Sequence, residues 1–237
     1  MYKGIYIAAS GAVLKEAELA LTARNIANAS TPGYKKERTS FSSYLLPAVR
    51  SVSGPERIMV DRAETITDFS PGRFIETGNP LDIAIEGDGF FALEGGRYTR
   101  RGEFRLDGDG YLVNTEGLKV VGADGAAIQL PPGKVDIGPG GEISVNGVPA
   151  GRLKLVDFAR PYRLSKAGDA TYTAPADARP AAASARVLPG VIEDSNVNVI
   201  KEMVGMIRTT REFETYQKMI QAFDSASSKA LNEIGRI

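Results

Sequence analysis

The chain has 237 residues, enough for one or two domains with a sizeable core. Its 29 Lys and Arg residues balance its 29 Asp and Glu residues, and a formal charge of zero removes the electrostatic argument for a nucleic-acid or anionic-membrane partner. The absence of cysteine and histidine excludes disulfides, thiolate metal sites and cysteine nucleophiles, and it removes the commonest general base and zinc ligand. Only carboxylate, lysine or serine chemistry stays open to an enzyme.

An alanine-rich helix is predicted at the N-terminus, over residues 2–29. One stripe of this helix recurs at alternating steps of four and three, the 3.5-residue period of a helix that packs along another helix. Small side chains on more than one face permit close packing against several neighbours. The stripe consists of Ile5, Ala9, Ala12, Glu16, Leu19, Ala23 and Ile26.

A cleaved signal peptide is the alternative interpretation of the same stretch, and it is not favoured. Ser10 and Gly11 interrupt the short apolar run, and Lys15, Glu16 and Glu18 follow inside the continuing helical pattern. No run in the sequence approaches the roughly 20 apolar residues of a membrane span. If the protein is exported, we expect it to leave the cytoplasm uncleaved.

The segment Asn28–Tyr34 is predicted to end the first helix in a sharp turn. Pro32 disfavours helical backbone at the residue before it, and Gly33 adopts a positive φ easily. A serine or threonine nucleophile in this segment is the alternative, but the chain has no histidine to activate a hydroxyl. The turn is therefore favoured. Residues 35–38, Lys-Lys-Glu-Arg, are expected to be exposed.

The middle of the chain is predicted to be extended and then β-rich. Residues 36–76 have a weak pattern, which is typical of an extended connector between separate parts of a molecule. Residues 77–190 are predicted to form an antiparallel β domain, a barrel or a sandwich, with residues 166–190 as loop and one or two poor strands. No helix-period stretch supports a parallel βαβ sheet. The predicted strands are 81–85, 90–93, 98–99, 104–106, 111–113, 118–121, 128–130, 135–137, 143–145 and 152–158.

A second long helix is predicted within residues 191–237, capped by Asn196 or Asn198. Polar residues in its stripe make it marginal alone, so it needs a partner helix. Two helices of the same period at opposite ends favour a coiled-coil-like α domain over two ordinary core helices. The stripe consists of Val199, Met203, Met206, Thr210, Phe213, Gln217, Ile220, Asp224, Ser227, Leu231 and Ile234.

The predicted fold class is therefore α+β in several parts. The N- and C-terminal helices form a coiled-coil-like α domain, and a central antiparallel all-β domain lies between them in the sequence. The predicted segments are the N-terminal helix at 1–35, the connector at 36–76, the β domain at 77–190 and the C-terminal helix at 191–237.

Two acidic clusters are the candidates for catalysis or metal binding. Asp82, Glu86 and Asp88 place three carboxylates close together, and a glycosidase needs two, but a solvated strand face beside a turn is favoured. The run Asp107-Gly108-Asp109-Gly110 begins like a calcium loop. Its third ligand position is Tyr111 and no predicted helices flank it, so a hairpin turn is favoured. We expect no catalytic residue, no cofactor and no metal site.

Both ends of the chain resemble one protein family. The string NIANASTPGYKKER at residues 25–38 resembles the N-terminal signature of bacterial flagellar rod and hook proteins, and VIEDSNVNVIKEMVGMIRTTREFE at 191–214 resembles their C-terminal signature. In the middle, TGNPLDIAIEGDGFFAL, YTRRGEFRLDGDGYLVN and GRLKLVDF resemble the β domain of the same family. The opening IYIAASGAVL, the GRLKLVDF string and the short connector resemble a proximal-rod subunit more than a distal-rod or hook subunit.

This resemblance implies a structural subunit and not an enzyme; a secreted carbohydrate-active enzyme is the remote alternative. Terminal helices of neighbouring subunits, both copies of the chain and other rod proteins, would pack into the inner tube of the rod. The flagellar type III export apparatus would deliver the chain to the periplasmic basal body without signal cleavage. Nucleic acid and small-molecule substrates are not expected. The implied assembly residues, with Phe213 and Ile220 added from the stripe, are Asn25, Asn28, Thr31, Pro32, Gly33, Tyr34, Asn196, Asn198, Glu202, Met203 and Ile207.

Overall fold

Two long helices at the ends of the chain enclose an antiparallel β region in the sequence. The computed structural model describes residues 2–45, 58–168 and 170–234. Helix α1 spans Tyr2–Ala27 and helix α2 spans Val199–Ile234. The predicted α+β class, with terminal helices and a central antiparallel region, is confirmed. Neither helix has an apolar stretch long enough to cross a membrane within the residues described.

Seventeen strands and one short 3-10 helix, Glu94–Gly96, lie between α1 and α2 in the described part of the chain. Every strand pair recorded among them is antiparallel. The strands are β1 Glu37–Leu45, β2 Ile58–Thr67, β3 Phe74–Glu76, β4 Ile83–Glu86, β5 Phe90–Leu93, β6 Arg97–Thr99, β7 Arg105–Leu106, β8 Leu112–Val113, β9 Val135–Ile137, β10 Glu142–Val145, β11 Val148–Arg152, β12 Leu155–Asp157, β13 Ser165–Lys166, β14 Thr171–Thr173, β15 Ala181–Ala182, β16 Arg186–Pro189 and β17 Val191–Glu193.

These elements belong to two compact units, each assembled from separate stretches of sequence. The helical unit consists of Met1–Ala29, Lys36–Phe69 and Val197–Ile237. The β unit consists of Ser30–Lys35 and Ser70–Asn196. The sequence predicted a different division of the chain, into four segments at 1–35, 36–76, 77–190 and 191–237. That division stays a prediction.

In the helical unit, α1 and α2 pack antiparallel. A Cβ placed on Gly4 would lie 2.7 Å from the Phe223 ring, and one on Gly11 would lie 2.5 Å from the Tyr216 ring. Moving seven residues along α1 moves the contact seven residues back along α2, which is the heptad step. The two missing side chains thus make room for two aromatic rings. Supercoiling of the pair stays a prediction.

At these two ring contacts, the contacting residues lie one position before the predicted stripe on both helices: Gly4 and Gly11 lie next to Ile5 and Ala12, and Tyr216 lies next to Gln217. Other members of the predicted stripe keep their place, since Ala12 is buried and Phe213 and Ile220 are half-buried. The period was predictable, but the register was not. Glycine carries no apolar side chain and was therefore not counted as a contact position, although its small size is what admits the rings.

Most of the expected connector belongs to a pair of antiparallel strands in the helical unit. Strand β1 pairs with β2 from Glu37 opposite Thr67 to Leu45 opposite Ile58, with a register shift between Ser42 and Ser43. The sequence predicted only an extended connector with a weak pattern here. Residues 46–57 separate the two strands, so no short turn signal identified the pair.

The β unit is organised around one apolar core and short strands with tight turns. The largest sheet has six strands in the order β13-β14-β6-β5-β12-β15, and β11-β10-β9 form a second sheet. Gly turns of the predicted kind join neighbouring strands, for example Asn146-Gly147 between β10 and β11, where both residues have positive φ. The core residues are Ile83, Ile85, Phe91, Leu93, Phe104, Leu112, Val120, Ile128, Leu130, Val135, Ile137, Ile143, Val145, Leu153 and Val187.

Residues 166–190 are more regular than the sequence predicted. Strand β14 pairs with β6, β15 pairs with β12, and β16 pairs with β4. Each of these partners lies far away in the sequence. The three strands are short, and the segment around them is rich in alanine and proline, which gives a weak strand signal from the sequence, so the long-range pairing decides the structure.

Candidate functional site

The N-terminus of α2 is capped by Asn198, one of the two predicted candidates. Its Oδ1 accepts a hydrogen bond from the backbone N of Lys201 at 3.0 Å, and its carbonyl accepts one from Glu202 N at 3.0 Å. Asn196 has a different role in the β unit, where its Nδ2 donates to the carbonyl O of Ser70 at 3.0 Å. The cap therefore fixes where α2 begins.

Next to this cap is a polar group that we call the helix-base cluster, which consists of Asn25, Lys36, Glu37 and Glu202. The buried Asn25 amide donates to Glu37 O at 2.8 Å and accepts from Glu37 N at 3.0 Å. Its Nδ2 also lies 3.4 Å from Glu202 Oε2, and Lys36 forms an ion pair with Glu202 Oε1. One amide therefore joins α1, the start of β1 and the first turn of α2.

The helix-base cluster borders a cleft of about 290 Å³ in the helical unit. Glu202 is buried in the first turn of α2, where a carboxylate also interacts favourably with the positive end of the helix dipole. Arg24 reaches the buried Glu37 carboxylate at 3.3 Å. Both buried acids are thus paired with cations, as buried charges require.

The turn after α1 has the geometry that its sequence predicted. Asn28 closes the helix by donating its Nδ2 to Arg24 O at 2.9 Å. In the β unit, Tyr34 N donates to Thr31 O at 3.2 Å around Pro32, and Gly33 has φ +69°. A Cβ on Gly33 would lie 2.5 Å from backbone atoms of Arg101, so the position requires glycine for both its φ and its space.

A second polar group, the buried ion triad, lies in the β unit and consists of Lys35, Arg100 and Glu193. Lys35 Nζ lies 2.6 Å from Glu193 Oε1, and both side chains are 0% exposed. Arg100 Nε lies 3.5 Å from Glu193 Oε2 and its guanidinium donates to the carbonyls of Gly87 and Gly89. The triad therefore joins the end of the N-terminal signature to the start of the C-terminal one.

Residues 35–38 correct the expectation that this charged run is exposed. Lys35 and Glu37 are buried, whereas Arg38 is exposed and Lys36 is half-buried. The reason is long-range pairing, since the Lys35 partner Glu193 lies 158 residues away. The one local signal was the acid at the end of Val191-Ile192-Glu193, a charged side chain in a short apolar strand.

The remaining predicted assembly residues lie on α2, mostly away from α1. Met203 is 50% exposed and Ile207 is 57% exposed, and with Ile200 at 75% and Val204 at 64% they form what we call the outer stripe. Phe213 and Ile220 are half-buried. The structure therefore brings Asn25 and Glu202 together, and it leaves Met203 and Ile207 on the surface.

The three carboxylates considered for catalysis do not converge on one another. Asp82 Oδ1 accepts from Asn79 Nδ2 at 3.0 Å, Asp88 pairs with Arg160, and Glu86 is exposed at the end of β4. No group of three or more acidic side chains that could hold a metal ion occurs among the residues described. The loop Asp107–Gly110 is a hairpin turn, in which Asp107 Oδ1 accepts backbone N–H groups from Asp109 and Tyr111.

The Lys15–Glu212 ion pair predicts how the stability of the helix pair depends on pH. The two groups lie 2.7 Å apart, and the Lys15 ammonium lowers the pKa of Glu212, while hydrogen bonds to Glu212 and Glu18 raise the pKa of Lys15. The Glu212 contribution is present above its unfolded pKa of about 4.3 and is lost as pH falls through the lower folded value. The Lys15 contribution is present below about pH 10.4 and is lost as pH rises through the higher folded value.

We therefore expect the wild type to melt at a higher temperature than Glu212→Gln at pH 7, and the difference to vanish well below pH 4. Helix melting followed by circular dichroism across this range tests it. Glu214→Gln, at an exposed position two residues on, is the matched control. A difference between wild type and Glu212→Gln that is independent of pH would contradict the prediction.

Three family models match separate parts of the sequence. Residues 5–35 match the family described as flagella basal body rod protein, and residues 84–145 match the flagellar hook protein FlgE/F/G D1 domain. Residues 188–233 match the flagellar basal body rod FlgEFG protein C-terminal family. The first and last matches contain Asn25 and Glu202 of the helix-base cluster, and Lys35 and Glu193 of the buried ion triad.

Full-length relatives carry the same family names. The chain is 32% identical to the flagellar basal-body rod protein FlgF of Caulobacter vibrioides, with 100% of both chains covered. It is 34% identical to FlgF of Escherichia coli, with 97% of each chain covered. It is 30% identical to the flagellar basal-body rod protein FlgG of Bacillus subtilis, with 98% of this chain and 99% of that one covered.

Proposed function

Because the chain belongs to the FlgF family of flagellar basal-body rod proteins, and so is a structural subunit of the flagellar basal body that assembles with other rod components, we propose that its two helices build the assembly contacts. The FlgF relatives favour a proximal-rod subunit over the distal-rod alternative, for which FlgG-named relatives exist. The family is structural, which agrees with a site made of packing, caps and paired charges.

The outer stripe is the observation that carries this proposal. Four large apolar side chains lie exposed on two consecutive turns of α2: Ile200, Met203, Val204 and Ile207. A soluble monomer seldom leaves such a contiguous stripe in water, because its burial against a partner is favourable by about 25 cal/mol per Å² of apolar area. In a rod, neighbouring subunits supply that partner, both as copies of this chain and as other rod proteins.

The signature residues have a supporting role in this proposal. Asn28, Thr31, Pro32, Gly33 and Tyr34 hold the turn that follows α1. Asn25 and Glu202 hold the bases of the two helices together, and Asn196 and Asn198 fix the approach to α2 and its start. The outer stripe is thereby presented from a defined helix pair. Export by the flagellar type III apparatus to the periplasmic rod, without a cleaved signal, completes the proposal.

A double substitution, Ile200→Glu with Val204→Glu, tests the role of the outer stripe. Both side chains are exposed, so we expect the monomer to keep its helix content while rod assembly is lost, since two carboxylates would be buried at the subunit contact. Swimming of cells in which the variant replaces the native copy, and electron microscopy of their basal bodies, are the measurements.

Gln221→Glu on the exposed surface of α2 beyond the outer stripe is the matched control, and we expect it to support swimming. Circular dichroism of both purified variants separates an assembly defect from a folding defect. Normal basal bodies with the double variant would refute the role of the outer stripe.

The carboxylate alternative makes a different prediction. Alanine at Asp82, Glu86 or Asp88 would abolish activity if the protein were a carbohydrate-active enzyme. We expect each variant to leave swimming unchanged, because the three side chains have separate surroundings. Peptidoglycan release by the purified wild type, lost in any one of these variants, would support the enzyme instead.

A further inference from the structure

The chain passes between the helical unit and the β unit at four places. It enters the β unit for residues 30–35, returns to it at Ser70 and leaves it after Asn196. We call residues 30–35, 70–73 and 193–196 the junction segments. Each passage of the chain from one unit to the other begins or ends in one of these short stretches.

The junction segments meet inside the β unit at Glu193. One oxygen of its buried carboxylate, Oε1, accepts hydrogen bonds from Lys35 Nζ at 2.6 Å and from Gly72 N at 3.0 Å. The carbonyl O of Glu193 accepts another from Gly33 N at 2.7 Å. A single residue of the third junction segment therefore holds the other two.

Further contacts join the same segments directly. Lys35 Nζ donates to the carbonyl O of Ser70 at 2.8 Å. Asn196 Nδ2 donates to the same carbonyl at 3.0 Å and to the Ser70 hydroxyl at 3.1 Å. A Cβ on Gly72 would lie 2.0 Å from the carbonyl O of Asp194, so the backbones of the second and third segments are in direct contact there.

These contacts close a long loop of the chain. Ser70 and Asn196 are 126 residues apart in the sequence, and the stretches of the helical unit on either side end at Phe69 and begin at Val197. The probability that two points of a flexible chain meet falls with about the 3/2 power of the loop length between them. Reducing this loop to a few residues therefore favours the meeting of the two stretches by on the order of 100-fold.

We infer that the junction segments act as a non-covalent cross-link held by Glu193, so that opening them in the β unit also destabilises the helix pair in the helical unit. A disulfide that closes a loop stabilises a fold in the same way. Lys35 of the buried ion triad and Lys36 of the helix-base cluster are consecutive residues, so displacement of one displaces the other. This coupling acts within one chain and is independent of the proposed assembly contacts.

A disulfide that closes the junction without restoring its charges tests the coupling. The Ser70 and Asn196 side chains are in contact and the chain has no native cysteine, so Ser70→Cys with Asn196→Cys gives one defined pair of thiols. The background variant is Lys35→Met with Glu193→Leu, which removes the ion pair as a whole. The readout is amide hydrogen exchange of the purified full chain, followed separately for α2 and for β5 in the core of the β unit.

We expect α2 to exchange at least about tenfold faster in the background variant than in the wild type, while β5 keeps most of its protection. Oxidation of the introduced thiols is expected to return α2 to within about threefold of the wild-type rate, and reduction is expected to abolish this rescue. Ser165→Cys with Thr173→Cys in the same background is the matched control. Its disulfide joins β13 to β14 and does not connect junction segments, so we expect no rescue of α2.

The same pair of thiols in the wild-type chain gives a second measurement that needs no buried substitution. We expect the oxidised form to exchange α2 at least about threefold more slowly than the reduced form, which lacks the contact between Asn196 and Ser70. Equal α2 rates in these two forms would overturn the coupling. So would an unchanged α2 rate in the background variant, or an equal rescue of α2 by the control disulfide.

Discussion

Glu193→Ala is expected to reduce the free energy of unfolding of the protein by about 3–5 kcal/mol. The substitution leaves Lys35 buried without its counter-ion at 2.6 Å, and it removes the acceptor for Gly72 N at 3.0 Å. Arg100 keeps its hydrogen bonds to the carbonyls of Gly87 and Gly89 but loses its ionic contact with the Glu193 carboxylate. Urea unfolding followed by tyrosine fluorescence measures the loss, because the chain has 9 tyrosines and no tryptophan.

Glu76→Ala is the matched control for this prediction. Glu76 is an exposed glutamate in β3, the strand that pairs with β17, so its loss is expected to change stability by less than about 0.5 kcal/mol. A second variant, Lys35→Met with Glu193→Leu, removes the ion pair as a whole and is expected to be more stable than Glu193→Ala. If the double variant were less stable than Glu193→Ala, the uncompensated charge of Lys35 would not be the cause of the stability lost in Glu193→Ala.

Gly33→Ala is expected to reduce the free energy of unfolding by about 3 kcal/mol or more. If the folded fraction falls far enough, the substitution will also abolish swimming. The φ of +69° alone costs an alanine roughly 1–2 kcal/mol. The added Cβ would meet Arg101 backbone atoms at 2.5 Å, and backbone cannot move aside as a flexible side chain can. Gly33 N also donates to Glu193 O at 2.7 Å, so any displacement of the turn disturbs the buried ion triad.

Gly78→Ala separates the two contributions at Gly33. Gly78 has a similar φ of +73°, but a Cβ there would meet nothing within 4 Å. We expect Gly78→Ala to reduce the free energy of unfolding only by the cost of the positive φ. The difference in free energy between the two variants therefore measures the effect of the close approach to Arg101. Equal costs would mean that the turn relaxes around the new methyl group.

Most of what could be predicted from the sequence was local. The heptad period identified both helices, Pro-Gly identified the turn after α1, and Asn198 was one of two predicted caps. Each of these features depends on residues within one or two turns of each other. The family signatures added which segments the resemblance assigns to assembly, but the partner of each residue could not be read from them.

The missed features all depend on residues far apart in sequence. Lys35 looked exposed in its charged run, and only Glu193 explains its burial. Strands β1 and β2 are separated in the sequence by residues 46–57, too long a stretch to give a hairpin signal. The helix register at the ring contacts was set by Gly4 and Gly11, whose lack of a side chain left no apolar signal. Local periodicity fixes which residues form an element, whereas the partner fixes which face is used.

The sequence separation within the helical unit has a consequence for the order of folding. Asn25 meets Glu202 across 177 residues, so the helix pair cannot form until nearly the whole chain is available. Strands of the β unit contact partners that are mostly nearer in sequence, and closing shorter loops costs less entropy. In a chain that is synthesised from its N-terminus, the helix pair is therefore completed last, and any contact that needs both helices has to wait until synthesis is nearly finished.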